Sequence, residues 1–130
     1  MPSWGVIPSI RVRDMKEAVA FYSGTLGFEL LRGGPDEENI SLGRGDARIM
    51  IESSAAFYSP AYNEAIRERL GTPSATALYI EAQDLEALCE RAGAAGRRII
   101  DPLGDRPWGQ SEFTVEDPEG NWLTFWRALA

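Results

Sequence analysis

Residues 14–30 of this 130-residue chain read DMKEAVAFYSGTLGFEL, and residues 84–99 read DLEALCERAGAAGRRI. In both stretches an Asp precedes apolar residues at helical spacing, and a Gly ends that pattern ahead of an extended segment. The Asp at each start is a predicted helix N-cap, and the Gly is a predicted C-terminal cap. The shared order indicates that one structural unit occurs twice in the chain.

Strand patterns surround both predicted helices. Residues 6–13 alternate ahead of the first helix and residues 77–82 ahead of the second, while three short extended segments follow each helix. The sequence therefore predicts an α+β fold of two tandem βαβββ modules, which form a curved mixed sheet with a concave cleft.

The expected organisation is a single domain. Module one covers about residues 4–58, a connector covers about 59–75, and module two covers about 76–130. Neither module alone has enough apolar residues for a stable core, so we expect the two to pack together.

Composition excludes several classes of function. The chain has no His and one Cys, and its 13 basic and 20 acidic side chains give a formal charge of −7. No imidazole is therefore present to act as a base or metal ligand, and Cys-based zinc sites are excluded. The negative charge argues against nucleic acid as a partner, and no stretch reaches the roughly 20 apolar residues of a membrane span. Because the N-terminus lacks a signal-peptide pattern, we expect a cytoplasmic protein.

Several local motifs carry a family resemblance. They are Phe21-Tyr22 followed by Leu26-Gly27-Phe28, Pro107-Trp108-Gly109 followed by Phe113, and Asp117-Pro118-Glu119-Gly120-Asn121 followed by Phe125. With them the chain resembles the vicinal-oxygen-chelate superfamily, which includes glyoxalase I, extradiol dioxygenases and bleomycin-resistance proteins. Residues 6–8 and 104–109 resemble the bleomycin-binding branch.

The resemblance also locates the positions of a metal site. Enzymes of the superfamily hold a divalent metal with His and Glu on inward-facing strand positions, where this chain has Ile7, Ala77 and Thr124. Only Glu52 is expected near the remaining position, and one carboxylate is too few for a catalytic metal. We therefore expect neither metal nor cofactor.

In the bleomycin-binding branch, the resemblance implies a homodimer whose clefts bind a small cationic or planar aromatic ligand. Trp108 matches the Trp that stacks on the ligand there, although a loop anchor at a subunit contact is an equal alternative. Trp122 and Trp126 are each expected either in the core or at the dimer interface, and the core is favoured for a Trp in a strand. The candidate ligand-binding residues are Trp108, Glu38, Phe57, Tyr58, Tyr62, Tyr79 and Thr124.

Three functional hypotheses stay open at this point. The first is a metal-independent protein that sequesters a bleomycin-type antibiotic. The second is a glyoxalase- or dioxygenase-like lyase or isomerase in which Glu52 or Tyr79 handles a proton. The third is a binder of an unrelated metabolite, because a sequence that predicts a cleft does not identify the ligand that the cleft binds.

Overall fold

The computed structural model describes residues 5–53, 59–70, 72 and 75–129. The chain divides into two compact units, Met1–Thr72 (unit one) and Pro73–Ala130 (unit two). Each unit is described by itself below.

Unit one contains a four-stranded mixed sheet in the order β1-β4-β3-β2. The first strand runs parallel to β4, and the other neighbours are antiparallel. Its elements are β1 (Ser9–Val12), α1 (Met15–Val19), a π-helical turn (Ala20–Thr25), β2 (Glu29–Arg32), β3 (Asn39–Arg44), β4 (Ala47–Ser53) and α2 (Pro60–Arg69).

Unit two repeats this arrangement, with the strand order β5-β8-β7-β6 and its first strand parallel to its last. Its elements are β5 (Ala77–Glu81), α3 (Leu85–Ala94), β6 (Ile99–Asp105), β7 (Gln110–Glu116) and β8 (Trp122–Ala128). The predicted α+β class and the duplicated βαβββ order are therefore confirmed. None of the helices in the described part of the chain has the length and apolar character needed to cross a membrane.

The helix ends lie where the sequence predicts them. The Asp14 carboxylate accepts a hydrogen bond from the Glu17 backbone N–H at 3.1 Å, and Asp84 occupies the N-cap position of α3. Gly27 and Gly96 follow the helical segments with φ of +76° and +73°. Residues with a Cβ rarely adopt this left-handed conformation, which explains the glycine at both positions.

The first helix differs from the regular helix predicted up to residue 26. After α1 it widens into a π-helical turn, in which the Thr25 hydroxyl donates to the Ala20 carbonyl, five residues earlier, at 3.4 Å. The wider turn buries the adjacent rings of Phe21 and Tyr22 completely, and these rings meet edge to face with centroids 4.9 Å apart. The gain from burying two large aromatic rings explains the departure from a regular helix.

One strand boundary also differs from the prediction. The first strand starts at Ser9 rather than at Val6, because Pro8 has no N–H for the ladder; its carbonyl accepts from the Met50 N–H at 2.9 Å. In unit two, β6 extends to Asp105, into the segment 104–109 that resembles the bleomycin-binding branch. The loop between β6 and β7 is therefore only residues 106–109.

Strand alternation gives each sheet one apolar face and one polar face. In unit one the apolar face packs on α1, and in unit two it packs on α3. Buried residues of these faces include Ile40, Leu42, Ile49, Ile51, Ile80, Phe113, Val115, Leu123 and Phe125. We call the opposite side of each sheet its distal face.

An ion pair confirms the direction of the sheet faces in unit two. Arg127 is an odd-numbered residue of β8, as are Leu123 and Phe125, so the three side chains lie on the same side of the strand. The Arg127 guanidinium pairs with Glu86 of α3 at 2.9 Å. Hydrogen bonding from Arg127 holds the pKa of Glu86 below its ordinary value. Even-numbered positions of β8 therefore lie on the distal face.

The turn between β7 and β8 depends on one buried carboxylate. Asp117 accepts from the backbone N–H groups of Glu119 and Asn121 at 2.9 and 2.7 Å, and from the Asn121 side-chain amide at 3.0 Å. This explains the Asp-Pro-Glu-Gly-Asn motif, because Asp and Asn fix the turn that aligns the two strands.

Replacement of this carboxylate should destabilise the protein more than loss of an exposed helix cap. We expect Asp117→Ala to lower the free energy of unfolding by about 3 kcal/mol, because several charge-assisted hydrogen bonds are lost in a buried site. The matched control, Asp14→Ala, should cost about 1 kcal/mol. Urea denaturation of both variants measures the difference, and equal losses would contradict the assigned role of Asp117.

Candidate functional site

Two predicted ligand residues are neighbours on the distal face of unit two. Tyr79 of β5 lies opposite Thr124 of β8, and Thr124 lies opposite Thr114 of β7. The Tyr79 side chain is 62% exposed on its edge strand, whereas the two Thr hydroxyls are buried and share a hydrogen bond of 2.8 Å. These three residues form one row across the sheet, in which an exposed aromatic ring lies next to a buried polar pair.

Trp108, the third predicted residue, is held by the carboxylate of Glu112, which lies in the row next to that of Tyr79, Thr124 and Thr114. Its indole Nε1–H donates to Glu112 Oε2 at 3.0 Å. Trp108 is 62% exposed, while Glu112 is only 4% exposed and lies opposite Trp126 in the ladder. The edge of the indole is therefore anchored, and most of the ring surface stays open to solvent.

The loop that carries Trp108 is braced by Arg106. The Arg106 guanidinium pairs with Asp101 at 2.9 Å and donates to the carbonyls of Pro102 and Glu112 at 2.9 and 3.3 Å. Backbone hydrogen bonds between Arg106 and Gln110, and between Gly109 and Arg106, close the loop. Arg106 thus supports the loop from within and is engaged by protein groups.

A second pair of the same chemistry lies on β7 and β8. Trp122 Nε1–H donates to Glu116 Oε2 at 3.0 Å, and the other oxygen of Glu116 pairs with Arg98 at 3.3 Å. Trp122 is 40% exposed and Trp126 half-buried, so the core position favoured for both is wrong for Trp122. Alternation explains this, because both Trp residues have the parity of the distal face.

The distal face of unit two is acidic and aromatic. On β5, β7 and β8 its positions carry three carboxylates and neither Lys nor Arg. The residues at these positions are Ala77, Tyr79, Glu81, Gln110, Glu112, Thr114, Glu116, Trp122, Thr124, Trp126 and Ala128. Such a surface favours positively charged groups with an apolar or aromatic body.

The distal face of unit one holds a buried ion pair instead. Glu52 is fully buried and accepts from the Ser9 hydroxyl at 2.8 Å and from the Arg11 guanidinium at 3.3 Å. Arg11 also donates to Asn63 of α2 at 3.4 Å, and its guanidinium carbon lies 5.6 Å from the centre of the Tyr62 ring. Arg11 thus neutralises Glu52 and connects α2 to the sheet.

The side chains at the expected metal positions do not fit a divalent metal centre. Ile7 and Ala77 offer no donor atom, the Thr124 hydroxyl is bonded to Thr114, and the Glu52 carboxylate is bonded to Arg11 and Ser9. Within residues 5–53, 59–70, 72 and 75–129, no three or more His, Cys, Asp or Glu side chains form a group able to hold a metal ion.

The other predicted ligand residues lie elsewhere. Glu38 is exposed on the loop before β3, and Tyr62 is half exposed on α2, against Arg11. Phe57 and Tyr58 lie outside the described residues. Of the seven candidates, Tyr79 and Thr124 lie opposite each other in the sheet of unit two, and Trp108 is bonded to Glu112 of the adjacent row.

Sequence reasoning missed Arg11 and Glu112. Strand parity was the available signal, because Arg11 shares the parity of Ser9 in β1 and Glu112 shares that of Thr114 in β7. Alternation along a strand shows on which face of the sheet a side chain lies, but it does not show which group that side chain contacts. The bond from Trp108 to Glu112 depends on how the loop folds back, which no periodicity encodes.

The effects of Arg11 and Glu52 on the free energy of unfolding should be coupled, because the two side chains form a buried ion pair. We expect Arg11→Met to lower the free energy of unfolding by about 3–5 kcal/mol, because it removes a counter-ion from a fully buried carboxylate. The double variant Arg11→Met/Glu52→Gln should recover most of this loss, since the carboxylate charge is removed together with its counter-ion. Thermal and urea unfolding of the single and double variants measure the coupling.

The control removes an exposed pair. Arg98→Met takes away the partner of Glu116 at the surface and should cost less than about 1 kcal/mol. An Arg11→Met variant that is no less stable than Arg98→Met would contradict the assigned role of Arg11.

Solved structures share this fold. TioX from Micromonospora sp. ML1 matches with a TM-score of 0.72 and 24% identity over 95% of this chain and 98% of its own. A glyoxalase/bleomycin resistance protein from Streptomyces sp. CB03234 matches with a TM-score of 0.64 and 23% identity, covering 93% and 97%. A glyoxalase/bleomycin resistance protein/dioxygenase from Alicyclobacillus acidocaldarius matches with a TM-score of 0.68 and 22% identity, covering 100% and 96%.

At these identities the likeness to the solved structures shows the fold alone. No curated protein matches the chain. The sequence profile of one family matches residues 6–125, nearly the whole chain and both βαβββ units. The chain therefore belongs to the Glyoxalase/Bleomycin resistance protein/Dioxygenase superfamily.

Proposed function

We propose that this protein binds a small planar, cationic molecule without a metal ion and protects against it, or stores it, by sequestration. A bleomycin-type antibiotic is the representative ligand. The observation that carries the proposal is Trp108, a large aromatic side chain held largely open to solvent on a braced loop. An anchored, exposed indole loses little conformational entropy when a flat ligand stacks on it.

The environment of Trp108 supports the same choice of ligand. Tyr79 and Trp126 add aromatic surface in neighbouring rows, and the carboxylates of Glu81 and Glu112 favour a positive charge there. The chain as a whole is also acidic, with a formal charge of −7, so long-range attraction favours the approach of a cation.

The surroundings of the two candidates for proton handling favour binding over catalysis. Glu52, one candidate for proton handling, is held by Arg11 and Ser9 within unit one. Tyr79, the other candidate, is exposed on an edge strand next to a Thr pair that is already hydrogen bonded. A general base needs a free, positioned acceptor next to the substrate; Glu52 is already engaged, and no hydrogen bond from the described residues positions the Tyr79 hydroxyl.

We also propose that the working form is a homodimer with two equivalent ligand sites, as the bleomycin-binding branch implies. In that arrangement the ligand stoichiometry is one molecule per chain. The members of the family that are enzymes need a metal, and the side chains of this chain do not fit one.

Isothermal titration calorimetry tests the proposal. Protein dialysed against EDTA is titrated with metal-free and with copper-loaded bleomycin at micromolar concentration. We expect saturable binding with one ligand per chain, and we expect Trp108→Ala to weaken it about tenfold or more, since an aromatic anchor in an interface is worth over about 1 kcal/mol.

Trp122→Ala provides the matched control, because Trp122 is another exposed indole bonded to a carboxylate on the same sheet face. It should bind both forms of bleomycin nearly as well as the unmodified protein. Absence of heat with both forms, or equal losses in the two Trp variants, would overturn the proposal.

A further inference from the structure

The two Trp–Glu pairs of unit two differ in one respect that concerns charge. Both glutamates lie on β7, four residues apart, and both accept an indole N–H at 3.0 Å. Glu116 also has Arg98 as a counter-ion. Among the described residues, no ion pair compensates Glu112, although it is the more deeply buried of the two.

A glutamate that is only 4% exposed normally has a cationic partner, because burial of an unpaired charge is costly. Glu52 in unit one follows this rule through Arg11. Glu112 has instead one hydrogen bond from a neutral indole to its side chain, and its second oxygen has no protein donor among the described residues. The guanidinium of Arg106 donates to the backbone carbonyl of Glu112 at 3.3 Å, so the Glu112 side chain remains available to a further cation.

Aromatic groups surround this carboxylate. Trp108 donates to it, and Trp126 is its partner across the strand pair, where opposite side chains lie about 5 Å apart at Cβ. Trp126 in turn lies opposite Glu81. A carboxylate bordered by two indoles has the composition of a site for an organic ammonium or amidinium, which gains both ion pairing and contact with aromatic faces.

We propose that Glu112, with Trp108 and Trp126, is a recognition site for the organic cation of a planar ligand. This inference rests on the proposed function and adds the residue that selects charge. Glu112 has two roles here. It orients the Trp108 ring through one oxygen, and it receives the ligand's ammonium or amidinium group at the other.

Two planar tricyclic probes separate these roles. Proflavine carries a positive charge at neutral pH, whereas acridone has a similar ring system and is neutral. Fluorescence titration of the full-length protein measures both affinities. We expect the unmodified protein to prefer proflavine at least about tenfold, as a partly desolvated cation over an aromatic face and a carboxylate should provide.

The Glu112→Gln variant keeps an oxygen acceptor for the Trp108 N–H but removes the charge. It should lose most of the preference, through a roughly tenfold weaker affinity for proflavine and a smaller change for acridone. The matched control is Glu116→Gln, which removes the same group from a pair that Arg98 already compensates, and it should leave the preference unchanged.

Salt dependence of the unmodified protein gives a measurement that needs no variant. Proflavine affinity should fall as sodium chloride rises to molar concentration, while acridone affinity should stay nearly constant. This readout keeps the proposal testable even where Glu112→Gln unfolds.

The outcomes distinguish this inference from the proposed function. Binding of both probes with equal affinity, or equal losses of both in Glu112→Gln, would overturn the charge-selecting role of Glu112 and leave the binding function standing. A loss of preference in Glu116→Gln would place the cation elsewhere and also overturn the inference. Binding of neither probe by the unmodified protein would overturn both proposals.

Discussion

Alternation along the strands is the constraint on which the rest of this structure depends. Each four-stranded sheet is covered by helix on one side, so every second residue is apolar and buried there. The residues between them are then placed on the distal face. A shift of one residue in register would reverse the two sets, and the hydrogen-bonded turn at Asp117 holds β7 and β8 against such a shift.

The buried carboxylates of the two distal faces have different kinds of partner. In unit one the buried Glu52 is neutralised by Arg11, so this carboxylate serves stability and anchors α2. In unit two the buried Glu112 is bonded to an indole and has no ion-pair partner among the described residues. Duplication thus supplies two similar scaffolds, whose distal faces differ in the partners of their buried carboxylates.

Most of the fold was predictable from the sequence, and less of the site was. The caps at Asp14 and Gly27, and their counterparts in unit two, depend on local backbone chemistry, which a sequence displays directly. Trp108 was predictable as a candidate because it lies in a loop with a family motif. Its bond to Glu112 and the pairing of Arg11 with Glu52 depend on side-chain rotamers and strand register, so they required the three-dimensional structure. The same holds for the π-helical turn at Phe21 and Tyr22, where tertiary burial prevails over regular helix geometry.

We propose that the carboxylates of the distal faces serve protein partners and an organic cation, so that the protein functions without a metal ion. The most direct measurement is the metal content of protein purified without chelators, together with its thermal midpoint before and after treatment with EDTA and millimolar Mn²⁺, Ni²⁺ or Zn²⁺. We expect far less than one divalent ion per chain and an unchanged midpoint, because a ligand that does not bind the native state cannot stabilise it. One tightly held ion per chain, with a midpoint that falls on chelation and recovers on addition of the metal, would contradict it.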